Sequence, residues 1–172
     1  MNAMRQAHPQ GFTLIELIIV IAIIAVLAAV AFPRLIDTQR DARIAKAKAI
    51  HGSIRSAAAL ARSRCELDLA ANISALPLAN CQATPPQISM DGKAVDMVNR
   101  YPAATANGID IAADIRLSAD GLEIGIGDCP AGARCYDIVG GKAPNCRIIY
   151  EPATSSGTQV ASPEISVTTD GC

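Results

Sequence analysis

From Phe12 to Phe32 the chain is apolar at every position except Thr13 and Glu16. A run of that kind must be surrounded by something apolar wherever it ends up. As an α-helix rising about 1.5 Å per residue it is on the order of 30 Å long, the thickness of a bilayer's hydrocarbon core. It is long enough to span. The run also holds much of the apolar content of a 172-residue chain that is 51% hydrophobic overall. The remainder of the chain is therefore a single small domain, less apolar than the total implies.

Residues 1–11 are polar, carry Arg5 and His8, and end in Gly11. They can neither span nor fold alone and are expected to be a cytoplasmic leader. A secretory signal has a shorter apolar region, a small-residue cleavage site and rarely an acid near its start. This run is longer and contains Glu16. A carboxylate held in hydrocarbon costs at least about 2.5 kcal/mol, so Glu16 needs either a place at headgroup level or a partner.

The order Gly11, Phe12, Thr13, Leu14, Ile15, Glu16, Leu17, followed by an apolar helix and preceded by a short basic leader, resembles the type III signal of the type IV prepilins and pseudopilins. The resemblance implies cleavage between Gly11 and Phe12 by a membrane prepilin peptidase and methylation of the new amine on Phe12. It also implies that Glu16 pairs with the N-terminal amine of an adjacent subunit during assembly. That chemistry is sensible, because two opposite charges relieve each other's desolvation cost when helices pack. Pro33 lacks an N–H and its ring crowds the preceding turn, so a kink or local melting is expected where the apolar run ends. In the family a proline here accompanies loss of helix on filament assembly.

After Pro33, Ile36, Ala47, Ile50, Ile54, Ala57, Ala58 and Ala61 recur at spacings near three and four. They predict an amphipathic continuation of the helix over 33–64, fading near Cys65. Between Arg34 and Arg64 there are 8 basic and 2 acidic residues, a net of +6; from Cys65 to Cys172 there are 6 basic and 13 acidic, a net of −7. A basic stretch joined to an acidic one reads as a solvated face near a membrane or a complement to neighbouring acidic heads, and nucleic acid is not the expected partner.

Beyond the helix, Pro77, Pro85 and Pro86 with Asn72, Ser74 and Asn80 predict an irregular connection. Gly92 reads as a turn, Tyr101-Pro102 as extended, and Ile109 to Ile115 as a short helix. The stretch GKAVDMVNRYPAATANGI resembles a region of pilins of the mannose-sensitive haemagglutinin type. Strands are expected at Leu122–Ile126, Tyr136–Val139, Arg147–Tyr150 and Ile165–Thr169, ordered as antiparallel hairpins. The implied fold is α+β: a long N-terminal helix on a small antiparallel sheet, the type IV pilin fold, with a head over 65–172.

All six cysteines, Cys65, Cys81, Cys129, Cys135, Cys146 and Cys172, come after the apolar run. An even number in a small exported domain reads as a disulfide framework, for which 15 connectivities exist. Cys65 and Cys81 stand at the two ends of the irregular connection, and Cys129 and Cys135 flank a tight loop. In an antiparallel pair the start of one strand lies beside the end of its partner, which favours Cys146 with Cys172. The closing CRIIY and DGC also resemble haemagglutinin-type pilins, where a terminal bridge encloses the exposed loop region. No C-x-x-C pair is present and His51 is the single histidine after the leader, so neither a metal nor any other cofactor is expected.

Catalysis is not expected either. The chain has no G-x-S-x-G, H-E-x-x-H or phosphate loop, His51 falls on the predicted helix, and Ser155 and Ser156 have no base in prospect. The resemblance implies a structural subunit, single-pass in a bacterial inner membrane with lipid around it, then a homopolymer in an extracellular pilus. Its expected partners are prepilin peptidase, an inner-membrane assembly platform and copies of itself. A pseudopilin of a type II secretion system shares the N-terminus and is the second reading.

Overall fold

A computed structural model describes residues 12–70, 80–125, 127–157 and 159–172. The leader with Gly11, and 71–79 within the irregular connection, lie outside the described residues. The chain divides into two compact units, Met1–Arg40 and Asp41–Cys172.

One helix, α1, covers Leu14–Ala70. In the first unit every described residue is exposed. α1 is helical through Pro33, so the local melting expected there is absent from this structure. In the second unit α1 buries Ala47, Ile54, Ala57, Ala58, Ala61 and Cys65, one narrow stripe of mostly small side chains that lets a sheet approach closely.

α1 also runs past the expected fade near Cys65. No glycine or proline interrupts 66–70. The i,i+4 ion pairs Arg62–Glu66 (3.8 Å) and Arg64–Asp68 (3.3 Å) support the last turns, and Leu69 packs on a second apolar cluster.

Among the described residues the single expected sheet is three. β1 (Gln87–Met90), β2 (Lys93–Val98) and β3 (Tyr101–Pro102) form an antiparallel meander. Asp91 and Gly92, with φ of 48° and 76°, make the two-residue turn between the first two strands. A five-residue π-helical turn, Ala106–Asp110, comes next and runs on helically through 111–112, so the helical segment expected at Ile109–Ile115 starts three residues earlier. β4 (Leu122–Ile124), β5 (Arg134–Ile138), β6 (Arg147–Glu151) and β9 (Glu164–Thr168) form a four-stranded antiparallel sheet in the order β4-β5-β6-β9. β7 (Thr154–Ser156) and β8 (Gln159–Ala161) are an exposed hairpin.

The main core joins Ala47, Ile54 and Ala58 of α1 to Tyr136, Ile138, Ile148 and Tyr150 of the larger sheet. The second joins Ala61 and Cys65 to Ile88, Val95 and Met97 of the meander. The architecture is α+β, a long helix on antiparallel sheets.

Three disulfides staple the head: Cys65–Cys81, Cys129–Cys135 and Cys146–Cys172, with Cα separations of 5.2, 6.1 and 4.8 Å. They fit the register. Arg147 is opposite Thr168, so the residue before β6 and the segment after β9 meet at one end of the sheet.

Candidate assembly interface

α1 starts with its own cap. The Glu16 backbone N–H donates to Thr13 Oγ1 at 3.3 Å, and T-L-I-E has the spacing of a capping box. The helix thus begins at Leu14 with Thr13 as its cap, placing the Glu16 carboxylate in the first turn, where the N-terminal end of the helix dipole favours an anion. Phe12 is 84% exposed. Its backbone nitrogen lies about one helical turn before Glu16 in the chain. Glu16 has no ion pair among the described residues.

The apolar part of α1 has a mean hydropathy of 3.1 in its most apolar 18-residue window, none of it buried. Phe12, Leu14, Ile15, Leu17 and Phe32 are all more than half exposed. Hydrocarbon or similar helices are the surroundings in which such a surface is stable. Pro33 donates no bond, which leaves the carbonyl of Ala29 without its helical donor. Thr38 Oγ1 donates back to the Arg34 carbonyl at 2.9 Å, a local bond that also loosens a helix.

In the head, polar side chains are consumed by packing. Asp110, on the π-helical turn, accepts from Nε and Nη2 of Arg134 at 3.1 and 2.5 Å and from the Tyr136 hydroxyl at 2.5 Å. Burial, then the bond to Asp110, push the Tyr136 hydroxyl's pKa well above its ordinary value. Arg147, 2% exposed, donates to both oxygens of Asp137 at 2.6 and 2.9 Å and to the Gly127 carbonyl at 2.8 Å. Each of these acids is committed to an internal guanidinium, which makes it a poor base.

Neither His51 nor the paired serines form a catalytic set. His51 Nε2 lies 3.2 Å from the Ile165 carbonyl oxygen, which ties α1 to β9. Ser155 and Ser156 are in the exposed hairpin. Among the described residues no cluster of His, Cys, Asp and Glu is arranged to hold a metal ion. The spacing of His51, Arg55 and Arg62 is legible as one helix stripe, but no sequence pattern signals that residues 162–165 stand opposite it.

Residues 7–32 match the family described as the prokaryotic N-terminal methylation motif. Over 52 residues the chain is 50% identical to the type IV narrow pilus major component PilA5 of Thermus thermophilus. That stretch is 30% of this chain and 45% of the relative, so under half of the relative's length is spanned. No solved structure matches the chain. Over its N-terminal segment the chain is thus similar to a structural component of a type IV pilus, and it carries the N-terminal methylation motif on a long apolar helix joined to a disulfide-stapled α+β head, a pilin-like arrangement.

Proposed function

We propose that the chain is a subunit of a type IV pilus. Prepilin peptidase removes residues 1–11 after Gly11, and the amine of Phe12 is methylated. The subunit waits in the inner membrane with 12–32 in lipid, and an assembly platform then moves it into a homopolymer whose core is that same segment. The filament serves attachment or motility outside the cell. The observation that carries this reading is the exposed apolar first part of α1 with one carboxylate, Glu16, in its first turn.

Moving Glu16 from headgroup level into a filament core is costly unless a cation meets it, and the amine of a neighbouring Phe12 is that cation. Loss of helix at Pro33, where the ladder already lacks a donor, would let neighbouring helices adjust in the polymer. Three disulfides around a small core suit a head exposed to an oxidising exterior. They favour a pilus over the shorter polymer of a type II secretion pseudopilin, as does the name of the Thermus relative.

Glu16→Ala should leave cleavage intact while surface filaments fall by about tenfold or more, since one desolvated ion pair per subunit is lost. Cleaved subunits should accumulate in the membrane fraction. Filaments at the normal level in that variant would remove Glu16 from assembly.

A further inference from the structure

Within the second unit α1 starts at Asp41, but its first buried side chain is Ala47. Three side chains tie the intervening turn to the head. Ile44 packs at the margin of the main core, and the Lys46 ammonium lies over Gly121. Arg43 makes the hydrogen bond, donating from Nε to the Cys172 carbonyl at 2.5 Å. A Cβ on Gly140 would stand 3.8 Å from Arg43 Nη1, so the guanidinium also covers the turn after β5. Among the described residues Arg43 forms no ion pair, and the Cys172 carbonyl is its polar tie to the head.

Cys172 is placed by a closely stitched corner. The Gly171 N–H donates to the Asn145 carbonyl at 2.8 Å, and the Gly171 carbonyl accepts from the Lys142 N–H at 2.9 Å. The two segments meet where side chains are missing: a Cβ on Gly171 would lie 2.6 Å from Asn145 Cβ, and one on Gly141 would lie 2.6 Å from Cys146 Cβ. Residue 172 stands one step beyond these bonds. It is held by the bridge to Cys146, with the Cα atoms 4.8 Å apart, and by the 3.1 Å bond from its N–H to the Thr169 carbonyl. The carbonyl that Arg43 uses therefore belongs to the residue that the bridge positions.

We propose that closing the Cys146–Cys172 bridge clamps the first turn of α1 in the head through Arg43, so that oxidation of this cysteine pair sets the order of residues 43–47. Closing forms one S–S bond and passes two electrons and two protons to a disulfide oxidant, which leaves as a dithiol. With the pair as thiols, residue 172 keeps its N–H bond but loses its covalent tie, and Arg43 loses a fixed acceptor. The bond is charge-assisted, which makes it one of the stronger ties available to an exposed turn. Cys65–Cys81 lies toward the other end of α1 and Cys129–Cys135 beside the start of β5, so neither bridge holds the residue that Arg43 contacts. The coupling is reciprocal: Arg43 favours the closed bridge by the factor by which the bridge favours the Arg43 contact. It stands whether or not the chain polymerises.

The full chain in detergent micelles tests the clamp in two ways. In a glutathione redox buffer, Arg43→Gln should raise the ratio of open to closed Cys146–Cys172 by about tenfold, read by alkylation and mass spectrometry, while Cys129–Cys135 keeps its wild-type ratio. In hydrogen exchange, the amides of 43–48 should exchange about tenfold faster in Arg43→Gln and in the pair Cys146→Ser with Cys172→Ser, and no faster when all three changes are combined. An unchanged redox ratio in Arg43→Gln would overturn the clamp. So would losses of protection that add in the combination, because Arg43 and the bridge would then act separately. If the serine pair does not fold, the redox ratio decides alone, since Arg43→Gln keeps all six cysteines.

Discussion

Asp110 shows how single residues decide the head. Its carboxylate gathers the Arg134 fork and the Tyr136 hydroxyl, tying the turn at 106–110 to β5. Nothing in the sequence distinguishes this aspartate from the other acids, because its partners are 24 and 26 residues away. Arg147 was equally illegible. It reads as a solvent-facing strand residue, yet it is buried on the sheet face away from α1, where Gly125 leaves room for its guanidinium. Burial also raises the hydroxyl of Tyr150, with Tyr101 adding to the effect, as burial and Asp110 raise that of Tyr136. Unfolded tyrosine ionises near 10.0, earlier than in the fold, so the stability contributed is whole below that pH and is lost as pH rises through it toward the folded values. Thermal melting from pH 7 to 11 should fall most steeply above about pH 10, and Tyr136→Phe should flatten that fall. An equal slope in the variant would show that Tyr136 does not govern it.

At the scale of elements, the helix and the larger sheet were legible, and of the meander only the Gly92 turn and the extended Tyr101-Pro102 were. α1 declares itself by apolar length and then by a period near 3.6, and β4, β5, β6 and β9 stand out between turns, whereas the short exposed hairpin of β7 and β8 does not. β1 and β2 are short and flank the Asp91-Gly92 pair. That dipeptide marks a hairpin, but Lys93 and Ala94 at the start of β2 blur the alternation beside it. The π-helical turn was misplaced for a different reason, since its position is set by a close backbone approach. A Cβ on Gly108 would sit 2.1 Å from the Ala103 carbonyl oxygen, which itself accepts from Ile109 at 2.9 Å. Gly108→Ala should therefore destabilise the head by about 1–3 kcal/mol, read as a lower denaturation midpoint with an unchanged slope. A midpoint matching the wild type would mean that the turn can shift to accept a methyl group.

For the molecule as a whole, the sequence divides into a part that needs other molecules and a part that folds around its own core. Residues 12–40 bury nothing, whereas 41–172 hold the apolar clusters and the three disulfides. The first part was readable because a long apolar run has few possible surroundings. The meeting of the His51 stripe with residues 162–165 was not, because the two are about 100 residues apart in the chain and only folding brings them together. The central claim is that one apolar helix is held first by lipid and then by its own copies. Mass spectrometry of material sheared from the cell surface tests it most directly. The account predicts a polymer-borne chain that begins at methylated Phe12 and has no free thiol, whereas an unassembled chain still carrying residues 1–11 would contradict it.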